Sequence, residues 1–223
     1  MFITESEVVR FSGLDAEFPV DKISPFLSIT EKKELKKLFG VDFRTALIAD
    51  LKVDSAVYTK WVPTVAYLEN ATVVHLGLRW IAENNNTNKT PGTSVDWSLY
   101  EIFTSSEYQD LWNMYLRNYL AFACALPALT FATIKATGNG LMIQAADDKS
   151  RNYTATKDMQ AIFKSEMINQ MNNIADEMKD WVIEAHAEYD DPNDSLFKSV
   201  AYVSVLCRDS TSSRPRTRIH WPN

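Results

Sequence analysis

The fold is decided by residues 107–142, EYQDLWNMYLRNYLAFACALPALTFATIKATGNGLM, in which large apolar side chains recur at steps of three and four. That spacing places them on one face of a helix. They are Tyr108, Leu111, Trp112, Tyr115, Tyr119, Phe122, Leu126 and Leu129. From Asn118 to Lys135 the segment is apolar on nearly every side, which predicts a helix surrounded by other helices. Pro127 should kink or split this core helix, and its charged and amide residues exclude a membrane span.

Two signals for the start of a helix lie N-terminal to this segment. Thr4 and Glu7 form a capping box that predicts a helix over about 5–12. A cap at Asp21 predicts a longer helix to Phe39, with Pro25 in its first turn and Gly40 as its C-cap. Its apolar residues should face inward, and its charged residues should form a solvated surface. The charged residues are Glu31, Lys32, Lys33, Glu34, Lys36 and Lys37.

Between these elements and the core helix, apolar spacing predicts a short helix over 43–51 and a long one over 55–82, interrupted near Pro63. The polar stretch from Asn84 to Gly92 predicts a mobile loop near 84–93. Strong apolar stripes on both sides favour a single domain, because each stripe needs a partner.

After the core helix, Gly138, Asn139 and Gly140 predict a turn, followed by a small extended or β element near 140–146. Apolar spacing then predicts the longest helix, over 156–189. Residues 196–206 fit either a strand or a short helix. The predicted fold class is mainly α: a multi-helix bundle over residues 1–207, followed by a basic extended tail at 208–223.

The composition and net charge of the chain disfavour some classes of function. The chain has 223 residues and a net charge of -6, which disfavours a surface built for duplex nucleic acid. Cys124 and Cys207 are too few for a disulfide framework and predict reduced thiols in a cytoplasmic setting. The start shows no pattern of a signal peptide.

Residues able to carry chemistry are scattered. His75, His186 and His220 have no metal-ligand spacing, and no phosphate-binding loop or nucleophile motif is present. The acidic region from His186 to Asp194 offers the alternative function, a small metal-binding or ligand-binding helical protein or enzyme. Pro192 and the missing glycine distinguish it from a calcium loop. We therefore expect no enzyme, cofactor or metal.

The C-terminal tail is basic where the body is acidic. It alternates arginine with small polar residues and ends in apolar anchors, which is typical of a segment that docks on an acidic partner. The residues are Arg208, Arg214, Arg216, Arg218, Ile219 and Trp221. A frayed terminus and a DNA-binding arm remain the other interpretations.

The opening Phe2-Ile3-Thr4-Glu5-Ser6-Glu7-Val8, then Leu14-Asp15, then the helix through Glu31–Gly40, resembles tailed-phage head-to-tail connector proteins. The resemblance is to the head-completion or ring adaptor proteins of crAss-like and other gut Bacteroidetes phages. Asn139-Gly140-Leu141 and the helix at 156–189 are similar to later elements of the family. Phe39 stands where the family pattern has an aliphatic residue, and the insertion at 84–92 has no clear counterpart.

The resemblance implies a virion protein of the neck, made in the host cytoplasm and acting by assembly. It implies a homo-oligomer, a dodecameric ring beneath the portal protein, that contacts neighbouring neck and tail rings. DNA would pass through the channel without specific binding, and no membrane is involved. Loops and termini would dock the neighbours, which makes Gly138, Asn139, Gly140 and the tail residues the expected partner-binding sites.

Overall fold

A computed structural model describes residues 2–14, 18–52, 59–132, 134–137, 140–143, 151–191 and 193–200; between 131 and 160 it describes the backbone alone. The helices are α1 Glu5–Ser12, α2 Ser24–Phe39, α3 Val41–Asp50, α4 Ser106–Leu111, α5 Arg117–Ala132 and α6 Arg151–Ala187. The strands are β1 Thr59–Lys60, β2 Ala66–Tyr67, β3 Thr72–His75, β4 Leu78–Ala82, β5 Asn86–Thr87, β6 Trp97–Leu99, β7 Ile134–Thr137 and β8 Gly140–Ile143. A π-helical turn, Trp112–Leu116, joins α4 to α5.

The cap of α1 and the end of α2 lie where the sequence predicts, whereas the cap predicted at Asp21 is wrong: Asp21 lies in a 3-10 turn, Val20–Lys22, and α2 begins at Ser24 without a side-chain cap. The Thr4 hydroxyl accepts from the backbone N–H of Glu7 at 3.3 Å, and the Glu7 carboxylate accepts from the backbone N–H of Thr4 at 2.9 Å. This reciprocal pair confirms the capping box. Pro25 lies in the first turn of α2, and Gly40 follows its last residue with a φ of 91°. Glycine alone adopts such a φ without steric cost.

Helix α5 is the centre of the helical layer. Helices α1, α2 and α6 all pack against it, and Leu120, Ala121, Cys124 and Ala128 on α5 are fully buried. Pro127 lies inside α5. Helix α5 ends at Ala132, before the turn predicted at residues 138–140, and β7 then pairs antiparallel with β8. The β-branched residues at this end favour extended backbone, and β8 confirms an extended element for residues 140–143.

The predicted helix over 55–82 is wrong. Its described residues form strands β1 to β4, and β3 and β4 make a hairpin in which Thr72 pairs with Ile81 and His75 with Leu78. The hairpin turns at Leu76 and Gly77, whose φ values of 50° and 72° are both positive. Two positive φ values define the tight turn that matches the twist of a β-ribbon.

The prediction of a mainly α bundle is therefore wrong as well. The order β1-β3-β4-β6 forms a four-stranded sheet, parallel between β1 and β3 and antiparallel elsewhere. Beside the helices, this mixed sheet makes the described part of the chain an α/β structure. A large apolar residue every three or four positions also fits short strands broken by turns, so periodicity alone favours the wrong element here.

The sheet has a small core of its own, formed by Tyr67, Val73, Ala82 and Trp97. The polar stretch from Asn84 to Gly92, predicted as a mobile loop, covers part of it. Within that stretch β5 pairs with β2, and the Lys89 carbonyl accepts from Trp97 Nε1 at 2.9 Å. Backbone hydrogen bonds thus hold this segment although it contributes little apolar surface.

The region after α6 is compact. Residues 193–200 form turns, with Phe197 and Val200 buried. For residues 196–200 the structure has neither the strand nor the helix that the sequence allows, and residues 201–206 lie outside the described part. Among the described helices, none combines the length and apolar character needed to cross a membrane.

Candidate functional site

Most of the predicted docking residues lie outside the described residues. These are Gly138, Asn139 and the tail residues Arg208, Arg214, Arg216, Arg218, Ile219 and Trp221. Gly140 is described: it is the first residue of β8 and pairs with Thr137 of β7. Of the predicted turn, the structure thus describes only Gly140, at the start of the second strand of an antiparallel hairpin that follows α5.

In the acidic region from His186 to Asp194, the Asp191 carboxylate is engaged by a neighbouring residue of the same region. Asp191 Oδ1 accepts from the backbone N–H of Asn193 at 2.8 Å and from its Nδ2 at 3.0 Å. His186 lies in the last turn of α6, where burial lowers its pKa. Over the described residues, no group of three or more His, Cys, Asp or Glu side chains could hold a metal ion. The metal-binding alternative thus gains no support from this region.

A buried ion pair that sequence reasoning missed joins the sheet to the N-terminal helix. Arg79 of β4 and Glu7 of α1 are both almost fully buried, and Arg79 Nη2 lies 3.1 Å from Glu7 Oε2. The same guanidinium donates to the Phe2 carbonyl at 2.7 Å and lies over the Trp112 ring at 5.9 Å from its centroid. Because Glu7 also caps α1, one carboxylate fixes both the helix start and the sheet.

Two carboxylates of α2 are buried, which corrects the prediction that the whole charged run is solvated. Glu31 Oε1 accepts from the backbone N–H groups of Phe2 and Ile3, at 2.8 Å each. Glu34 Oε2 accepts from the Tyr119 hydroxyl at 2.8 Å. Both residues lie three or four positions from Leu27, Leu35 or Leu38, and this spacing places them on the inward face.

The buried carboxylates of Glu7, Glu31 and Glu34 stabilise the fold. Each carboxylate is engaged by a guanidinium, a hydroxyl or backbone N–H groups of another element, as buried charges require. Glu31 holds the N-terminal arm on α2, and Glu34 joins α2 to α5. Sequestered in this way, they stabilise the packing of elements and have no access to a substrate.

The pKa values of the buried Cys124 thiol and the buried Tyr108 phenol are raised, which makes both groups less reactive. Burial raises the pKa of the Cys124 thiol, and the carboxylates of Glu31 and Glu34 raise it further. Burial also raises the pKa of Tyr108 to about 12, with smaller contributions from nearby charges. A nucleophilic cysteine needs the opposite environment, with a lowered pKa and access to solvent. These groups are therefore core residues.

The Glu31 carboxylate should make stability depend on pH. Burial raises its pKa above the ordinary value of 4.5, although the backbone hydrogen bonds from Ile3 and Phe2 and the charge of Arg79 lower it. Because the folded pKa is the higher one, the stabilisation is complete below 4.5 and is lost as pH rises through the folded pKa. Wild type should therefore lose stability relative to Glu31→Gln as pH rises above 4.5.

Urea unfolding at a series of pH values measures this difference. The glutamine oxygen can still accept from both backbone N–H groups, so the variant removes the charge and keeps the geometry. Glu69→Gln, at an exposed position, controls for the loss of one negative charge. A difference between wild type and Glu31→Gln that grows in favour of wild type at higher pH would contradict the assignment.

Three exposed apolar residues lie on different sides of α6, in the first turns whose side chains are described. Ile162, Phe163 and Ile168 are 70%, 38% and 47% exposed. Met167 and Met171 of the same helix are buried. Lys164 Nζ donates to Thr130 Oγ1 of α5 at 2.9 Å, which places Lys164 beside the end of α5, the helix that β7 follows in the chain.

The described residues thus define an α/β protein in which the buried carboxylates of Glu7, Glu31 and Glu34 are hydrogen-bonded within the fold, and in which α6 exposes apolar side chains. No family model, curated protein or solved structure matches the chain.

Proposed function

We propose that this chain is a structural subunit of a tailed-phage head-to-tail connector, a ring or adaptor protein at the neck of the virion. It acts by oligomeric assembly, as a dodecameric ring beneath the portal protein, and seals the junction between head and tail. Neighbouring neck and tail proteins are its further partners, and DNA passes through the ring without specific binding. In the sequence, this proposal rests on the resemblance to that protein family of the N-terminal segment, of the turn at 139–141 and of the long helix at 156–189.

The exposed apolar side chains of Ile162, Phe163 and Ile168, which lie around the first described turns of α6, carry this proposal. Large apolar side chains within seven residues of one helix expose a surface whose burial would be favourable. A subunit that assembles can bury this surface, whereas a solitary protein would leave it in water. The same part of α6 contacts the end of α5 through Lys164 and Thr130, and β7 follows α5 in the chain.

The buried charges are consistent with this role. An adaptor must keep its shape while neighbours bind it, and the Glu7–Arg79 pair and the Glu31 and Glu34 contacts fix the relative positions of α1, α2, α5 and the sheet. The mixed sheet changes the predicted architecture of the subunit but leaves the mode of action the same. Recognition by assembly requires outer surfaces, and it needs no convergent site inside the fold.

Immunogold labelling of purified phage particles with an antibody against this chain tests the proposal. The label is expected at the junction between head and tail, in several copies per particle. A lysate of the same infection supplies the control, since a virion protein must remain with particles after they are banded and washed. Absence from washed particles, or labelling confined to the capsid shell or tail tip, would contradict the proposal.

A further inference from the structure

The outward face of α2 is basic. Glu31 and Glu34 turn inward, so the exposed charges that remain on this helix are Lys32, Lys33, Lys36 and Lys37. Lys33 and Lys37 lie 3.7 Å from Glu34, but that carboxylate is shared between them and also accepts from Tyr119. Four exposed ammonium groups near one buried carboxylate leave a net positive surface. Ile29, 71% exposed, adds an apolar side chain to the same face.

The outward face of the second half of α6 is acidic. Asp176, Glu177, Asp180 and Glu184 are all exposed, at steps that keep them on one side of the helix. Met178 and Val182, on the other side, are buried. The charge of this α6 face is therefore opposite in sign to that of α2.

The two charged faces belong to helices that flank the same central helix. Both α2 and α6 pack against α5 through their buried sides, so each turns its charged side away from the body. The lysines span about 8 Å along α2 and the carboxylates about 12 Å along α6, at a rise of about 1.5 Å per residue. The two faces are thus of similar length and opposite charge.

We infer that the basic face of α2 binds the acidic face of α6 on a second copy of this chain. The inference rests on the proposed function and names the contact that would build the ring. Such a contact joins two different surfaces, so every copy offers one free face to the next, and the series closes when the rotation between copies fits. Opposite charges also disfavour pairing of two α2 faces or two α6 faces.

Charge reversal tests the contact. One variant carries Lys32→Glu, Lys33→Glu, Lys36→Glu and Lys37→Glu; the other carries Asp176→Lys, Glu177→Lys, Asp180→Lys and Glu184→Lys. Alone, each variant has two faces of like charge and should associate at least about a hundredfold more weakly than wild type. Mixed in equal amounts, the two variants should assemble again, with the copies alternating. One chain with both sets should also assemble alone.

The readout is the mass distribution by light scattering across a concentration series, with circular dichroism to confirm that each variant folds. Lys60→Glu with Lys89→Glu, at exposed positions of the sheet region, controls for half of the change in net charge that the four lysine reversals make. Wild type gives a test independent of any variant: about 1 M NaCl, with a screening length near 3 Å, should weaken its assembly at least tenfold.

The outcomes separate the inference from the proposed function. If the reversed variants assemble as wild type does, or if mixing restores nothing, the α2–α6 contact is wrong while assembly into a ring stands. Assembly that is indifferent to salt would also overturn the contact. A wild type that stays monomeric at every concentration would overturn the contact and the ring together.

Discussion

Replacing Arg79 with methionine is expected to lower the free energy of unfolding by about 3 to 5 kcal/mol, the usual effect of removing one partner of a buried ion pair. The guanidinium is held by Glu7 Oε1 at 3.2 Å from Nε and by the Phe2 carbonyl at 2.7 Å. Without it the Glu7 carboxylate keeps its helix cap but loses its counter-charge in a buried setting. The N-terminal arm and the sheet lose their shared anchor at the same time.

Chemical denaturation followed by tryptophan fluorescence and by circular dichroism measures this loss. Lys60→Met supplies the matched control, because it removes one cation from an exposed position of the same sheet. That variant should change stability by no more than about 0.5 kcal/mol. Equal small changes for Arg79→Met and Lys60→Met would show that the buried pair does not stabilise the fold.

Replacing Gly77 with alanine is expected to cost about 2 to 5 kcal/mol, since two separate penalties add. The φ of 72° places the residue in the left-handed region, which costs an alanine about 1 to 2 kcal/mol. The new Cβ would also lie 2.8 Å from the Ser6 carbonyl oxygen and 2.8 Å from Arg10 Cβ, and relieving such crowding typically costs about 1 to 3 kcal/mol. The β3–β4 turn would have to move away from α1.

Gly13→Ala is the matched control for this variant. Gly13 has the same φ of 72°, but a Cβ there would meet nothing within 4 Å. The difference between the two substitutions therefore isolates the close approach of the turn to α1. Urea unfolding of both variants measures that difference, and equal losses of stability would contradict the tight packing of the sheet on α1.

The sequence predicts the helical layer well where local signals agree. The capping box at Thr4 and Glu7 and the glycine after Phe39 each act through their nearest neighbours, so their effect can be read from a few residues. The predicted helix over 156–189 matches α6, Arg151–Ala187, because a long apolar stripe at helical spacing fits few structures other than an amphipathic helix.

The sheet could not be derived from apolar spacing alone. Residues 59–82 have apolar side chains at distances that suit a helix, and strands form there because partners elsewhere in the chain pair with them. The one local signal is Gly77, which lies between two runs of β-branched or aromatic residues. Leu76 gives no turn signal, because a leucine rarely adopts the positive φ that it has here.

The candidate surfaces are only partly accessible to sequence reasoning. The lysines of α2 are recognisable as exposed, but the net charge of their face depends on the burial of Glu31 and Glu34. That burial follows from the inward spacing of these residues beside Leu35 and from hydroxyl and N–H partners far away in the chain. Such partners are fixed by tertiary packing, which a single sequence does not specify. The arginine tail, the most prominent sequence signal, lies outside the described residues.

Native mass spectrometry of the purified full-length chain tests the central claim most directly, because it counts subunits without reference to any variant. We expect a closed assembly with a mass that is a whole multiple of 25.4 kDa, with the dodecamer as the main species at low salt and tens of micromolar protein. A single species of 25.4 kDa over the whole concentration range would contradict the claim that this protein works by assembly.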